Sequence, residues 1–309
     1  MSHFTVLVVC PADTAQHNVN DALEAALAPF YEQVDNNSPY AVFHNVTEEC
    51  RKRYEEEGVE RIVMPDGRLL LPWDEKFRVE GTFGVGNRGT HQPPDELEKR
   101  LVPFKETYPT LEEFMTGWHG HSFMEPQGAF GYYHNPTAKW DWWTLGGRWQ
   151  GMLTAKQEAS TEHLIYGEPG AFGSRGDEYD RPGSRHGCDG CRKGDLDFDW
   201  ARAENIRSVQ VRWDHMIAEN HQDDPGRRYF EYGFDKDSSL EDELQKAQNC
   251  HPFHTFAVLK DGVWYERGEM GWFACVINDK GRGEWCGEIQ QLWDEIPDDH
   301  VVVVVDCHI

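Results

Sequence analysis

The two ends of the chain constrain its fold more than any other feature. Near the start, His3-Phe-Thr-Val-Leu-Val-Val9 is apolar and β-branched along nearly its whole length. The end, His300-Val-Val-Val-Val-Val-Asp-Cys-His-Ile309, repeats the pattern with an unbroken valine run. A strand with one solvated face alternates apolar and polar residues, whereas a continuous apolar run needs cover on both faces. Two such runs are expected to lie side by side at the centre of one sheet. The termini then form one structural unit, and the middle of the chain is an excursion from it.

Between the ends the apolar spacing turns helical. Asp21–Tyr31 carries Leu23, Ala26, Leu27 and Phe30 at that spacing. Asp199–His221 presents Ala203, Ile206, Val209, Trp213 and Met216 or Ile217 as one stripe, and Glu284–Glu295 places Trp285, Ile289, Leu292 and Trp293 on one side. Pro65-Asp66-Gly67 and Lys260-Asp261-Gly262 read as hairpin turns. These elements predict an α+β or α/β fold, a mixed sheet holding the N- and C-terminal strands with flanking helices. The expected organisation is an N-terminal α/β part over 1–153, a Gly/Asp-rich loop or insertion over 154–198, and a long helix with a C-terminal α/β part over 199–309 that completes the same sheet. Gly84-x-Gly86-x-x-Gly89 matches a dinucleotide fingerprint in letters only, because no strand-turn-helix context surrounds it.

Charge and cysteine usage narrow the function classes. With 30 basic against 55 acidic residues the net charge is −25, which argues against direct nucleic-acid binding, since that depends on Lys and Arg neutralising phosphates. The acidic surface suits a soluble protein or one that docks on a basic partner. No stretch reaches the roughly 18 apolar residues of a membrane span, and His3–Val9 does not read as a signal peptide. A cytoplasmic protein is therefore expected, with its eight cysteines as reduced thiols rather than disulfides.

The densest chemistry lies in Lys139-Trp-Asp-Trp-Trp-Thr-Leu-Gly-Gly-Arg-Trp149. Two accounts fit it. In one, Asp141 and Arg148 face a pocket lined by Trp142, Trp143 and Tyr132, and Gly146-Gly147 opens the backbone to a ligand. In the other, the tryptophans fill a core, Asp141 pairs with Arg148, and the glycines allow positive φ or close packing. Clustered tryptophan fills a core more often than a site, which puts the structural account first.

Metal-ligand residues occur in two places. Cys188-Asp-Gly-Cys191 is half of a zinc motif, which Cys250 and His254 could complete, with His186 and His251 nearby in sequence. Trp118-His119-Gly-His121 places two imidazoles on one side of an extended segment, lacking a third ligand that His134 or Glu125 could supply. Asp195, Asp197 and Asp199 complement a helix N-terminus better than they build a calcium loop. Adjacent strand residues Cys307 and His308 point to opposite faces, so they do not form a thiolate–base pair.

Three stretches carry a family resemblance: His3-Phe-Thr-Val-Leu-Val-Val9, the Lys139–Trp149 motif, and the closing Val-Val-Asp-Cys-His-Ile309, with Trp264-Tyr-Glu-Arg-Gly-x-Met-Gly-Trp272 between them. Together they resemble an uncharacterised family of bacteriophage and prophage proteins, some of them encoded in actinobacterial genomes. Phage accessory proteins of this size include antagonists of host defence, among them anti-Gabija inhibitors that assemble into large oligomers and block a defence nuclease. The resemblance implies a non-enzymatic homo-oligomer that occludes a host defence protein. Two other expectations stand beside it: a metal-dependent enzyme acting on nucleotides through His119, His121, Asp141 and Arg148, and a zinc-stabilised structural protein.

Overall fold

The computed structural model describes residues 2–79, 90–168, 180–181, 185–271 and 275–309. Gly84, Gly86, Gly89 and Trp272, singled out above, lie outside them. The fold is α+β and the chain forms two compact units, one of Met1–Gln33 with Thr137–Ile309 and one of Val34–Pro136.

The first unit is built on the pairing of the two terminal strands. His3–Cys10 runs antiparallel to Val301–His308 in register from His3 opposite His308 to Cys10 opposite Val301. On its other edge His3–Cys10 pairs in parallel with Ala257–Lys260, which turns through Asp261 and Gly262 into Val263–Glu266. The far edge of Val301–His308 is shared end to end by Trp142–Leu145 and Gly190–Arg192. The result is a mixed, six-stranded sheet with the terminal strands at its centre.

Both faces of these strands are covered, as their continuous apolar character requires. On one face Phe4, Val6, Val8, Val303 and Val305 pack on Val19, Leu23 and Leu27 of the helix Val19–Leu27. On the other, Leu7, Val302 and Val304 pack on Trp285, Ile289, Leu292 and Trp293 of the helix Gly281–Glu295. Each fully buried Val or Leu contributes roughly 1.5–3 kcal/mol relative to exposure. The long helix Phe198–Ala218 begins with Asp197 accepting from the Trp200 amide at 3.0 Å. Its Val209 and Met216, with Ile206 and Trp213 beside them, form a smaller core with Tyr232 and Phe234. Ile217, the alternative to Met216 in the expected stripe, is exposed.

The expected domain boundaries need correction. A second compact unit, Val34–Pro136, lies within the stretch expected as one N-terminal α/β part over 1–153. Residues 154–198 are rich in loop-forming residues, yet Leu153–Ala155 pairs with Arg185–Cys188 and Gly190–Arg192 joins the main sheet. Strand pairing at long range, which composition does not report, ties this stretch into the first unit. Val34–Pro136 has its own small sheets, including Val42–Asn45, Ala129–His134 and Ser122–Met124. Its core joins Val46, Cys50, Val59, Phe104, Phe114, Met115 and Phe130.

A second correction concerns cysteine. Cys250 and Cys286 form a disulfide between the end of the helix Leu240–Asn249 and the helix Gly281–Glu295. Beside it His251 is buried and stacks on Trp293 with ring centroids 4.4 Å apart. Burial pushes the His251 imidazole down to about 3, so it is neutral in the fold and titrates near 6.5 when unfolded. Its contribution is fully present above pH 6.5 and is lost as pH falls toward 3. Asparagine at this position keeps an acceptor for the Phe253 amide without titrating. Urea denaturation at stepped pH should show wild type losing on the order of 3–5 kcal/mol more than His251→Asn between pH 7 and pH 3. Parallel stability profiles would refute this.

Candidate metal centre

In Val34–Pro136 a thiol and two imidazoles converge. The helix Thr47–Glu56 starts where Asn45 Oδ1 accepts from the Thr47 amide at 2.9 Å, and Thr47 Oγ1 accepts from the Phe130 amide at 3.0 Å. These bonds lock the helix to the strand Ala129–His134. Cys50 is its buried residue, set on the inner side against Phe114 and Met115 in an otherwise charged segment.

The two imidazoles come from the turn after the helix Leu111–Gly117. Thr110 caps that helix by accepting from the Glu113 amide at 3.2 Å, as Thr110-x-x-Glu113 predicts. Beyond it the His121 amide donates to Met115 O at 3.0 Å. Gly120 adopts φ +69°, a conformation glycine takes at little cost. The turn leaves His119 and His121 stacked, with centroids 5.5 Å apart and planes 11° apart. The imidazoles share a side as their spacing suggested, through a turn rather than an extended segment.

Cys50, His119 and His121 each offer a ligand atom, all within 4.8 Å of one another, and this is the metal-competent Cys/His group found among the described residues. His119 Nε2 is buried without a hydrogen-bond partner among them. Burial, with the positive charge of Arg53 next in weight, lowers the His119 pKa and keeps a ring lone pair available at neutral pH. Burial, assisted by Glu49, raises that of Cys50, so metal uptake there expels a proton. Tyr132 stacks on His121 at 5.8 Å and 15°, and His134 lies beside Tyr132 at 5.9 Å.

The other expected ligands go elsewhere. The set Cys188, Cys191, Cys250 and His254 does not assemble, because the sulfur of Cys250 is consumed by Cys286. Cys188 and Cys191 are fully buried. Cys191 hydrogen-bonds Cys188, which together with burial holds the Cys188 thiol well above its ordinary pKa. The turn between them is structural, since Asp189 accepts from the amides of Gly151 at 2.6 Å and Gly167 at 2.7 Å.

Of the expected pocket residues, Asp141, Trp142, Trp143 and Arg148 belong to the first unit and Tyr132 to the second. Trp140 and Trp143 pack on one face of the central sheet and Trp149 on the other. Trp142 stacks on His308 at 5.5 Å and 17°. Asp141 meets His308 rather than Arg148, with Oδ1 2.6 Å from Nδ1. The Arg148 side chain is exposed while its amide donates to Asp306 Oδ2 at 3.0 Å. Gly146 and Gly147 take φ of +67° and +52°, and a Cβ on either would strike Asp189 or Asp306 at about 2.5 Å. His119 and His121 likewise fall in a different unit from Asp141 and Arg148.

Comparison of the chain with protein-family models, curated proteins and solved structures returns no match. Among the described residues no helix is long and apolar enough to cross a membrane.

Proposed function

We propose that this protein binds zinc through Cys50, His119 and His121, and that the ion serves chemistry at an open position. The observation that carries this reading is the convergence of one thiol and two imidazoles within 4.8 Å. Sulfur and imidazole donors suit zinc and disfavour magnesium or calcium, which take oxygen. Structural zinc is usually closed by four protein ligands, whereas three leave the tetrahedral vertex at which catalytic zinc holds water or substrate. Zinc there lowers the pKa of bound water and polarises a carbonyl or phosphoryl oxygen. Tyr132, stacked on His121 and partly exposed, is the residue positioned to orient what enters. Elemental analysis of protein purified without chelator should find about one zinc per chain by this stoichiometry. His121→Ala and Cys50→Ala should each lose it while retaining the wild-type circular dichroism spectrum. Zinc content unchanged in both variants, or a wild type that takes up no zinc, would defeat the reading.

A second reading is a homo-oligomer that occludes a host defence protein without catalysis, as the resemblance to phage proteins implies. It is favoured by Tyr229 and Phe230, which are 58% and 85% exposed on the helix Pro225–Phe230. Large exposed aromatics are common anchors of protein interfaces. Light scattering at micromolar concentration should then report an oligomer that Phe230→Asp dissociates. A monomeric wild type would remove this reading.

A further inference from the structure

The end of the tryptophan motif borders a cavity in the first unit. Trp149 closes the short turn Gly147–Trp149, and Gln150 follows it into the interior. Across from them the first turns of Phe198–Ala218 present Trp200, Glu204 and Asn205, with Trp200 and Glu204 four residues apart on one helical side. His254 adds to the lining, and the cavity volume is about 210 Å³.

Gln150 is the unusual wall residue. It is 3% exposed, and neither its Oε1 nor its Nε2 has a hydrogen-bond partner among the described residues. Buried amides are rarely left unpaired, and one that is destabilises the fold until a partner arrives. The cavity wall also carries two indoles, Trp149 and Trp200, and indole faces stack on flat rings. An amide offers one donor and one acceptor side by side, which matches the paired edge of adenine, and aromatic side chains stack nucleobases of any sequence.

We infer that this cavity binds a nucleobase, with adenine as the best match, stacked on Trp149 or Trp200 and read by the Gln150 amide. Two further observations set the ligand's class. The described lining contains no lysine or arginine, which suits a free base or nucleoside and gives a phosphate no cationic partner in the cavity wall. The volume is below the 300–1,000 Å³ range of pockets for drug-sized ligands, so it holds one ring system. An adjoining cleft of about 660 Å³ shares Trp149 and His254 with the cavity and gives a ribose room to leave it. This site uses none of the residues of the metal centre, so either can fail without the other.

Isothermal titration of the full chain with adenosine tests the assignment, with uridine and N-acetylglucosamine as comparisons. Adenosine should bind at micromolar to low millimolar Kd, at least tenfold tighter than N-acetylglucosamine. Gln150→Leu should weaken adenosine binding at least tenfold and raise the melting temperature by a few degrees, because leucine removes an unpaired amide. A merely structural glutamine would not couple these opposite changes. Trp200→Ala should weaken binding by a similar factor. No heat from adenosine at millimolar concentration, preferential binding of the sugar, or unchanged affinity in Gln150→Leu would each overturn the proposal.

Discussion

The antiparallel pairing of His3–Cys10 with Val301–His308 is the constraint on which the first unit depends. Eight consecutive residue pairs join the two ends of the chain, and the C-terminal strand is buried at all eight positions. Such a strand is stable only when helices cover both faces, which fixes where Val19–Leu27 and Gly281–Glu295 must pack. The polar residues at one end of the pair then act as anchors. Asp306 is fully buried and holds both His3, at 2.8 Å, and the Arg148 amide. His308 meets Asp141. Through these two carboxylates the tryptophan motif is bound to the terminal strands, and Gly146 and Gly147 are required because the motif turns against Asp189 and Asp306 with no space for a Cβ.

Much of this architecture was legible in the sequence, because burial on two faces leaves an unmistakable apolar run. The hairpin at Asp261-Gly262, the Thr110 cap and the helix after Asp197 were legible for the same kind of reason: each is decided by a few neighbouring residues. What could not be read depends on pairing between distant residues. The disulfide joins Cys250 to Cys286 across 36 positions, and nothing local distinguishes those thiols from the six others. The loop-rich composition of 154–198 concealed three strand pairings among the described residues, because Gly and Asp mark turns without saying what the turns connect.

The candidate metal centre divides along the same line. His119 and His121 were recognisable from their spacing, and their common side was predictable. Cys50 was not, although a signal existed: with Tyr54 it forms the apolar i, i+4 pair on a charged helix, which marks the inward side. That signal says the thiol is buried, but only the tertiary fold brings it to the imidazoles. The C-x-x-C pair shows the converse. Its spacing matches half a zinc site, yet its thiols are buried core residues around the turn that Asp189 organises. Local motif and assembled site are different properties, and in this molecule the weaker motif is the one that meets a third donor.

The ligand shell itself gives the most direct test of the central claim. X-ray absorption at the zinc edge of the loaded wild-type chain should show one sulfur at about 2.3 Å and three nitrogen or oxygen neighbours at about 2.0–2.2 Å. Cys50→Ser should remove the sulfur contribution. A sulfur-free shell would place the ion on surface histidines, and two or more sulfurs would move it to Cys188 and Cys191; either result contradicts the account.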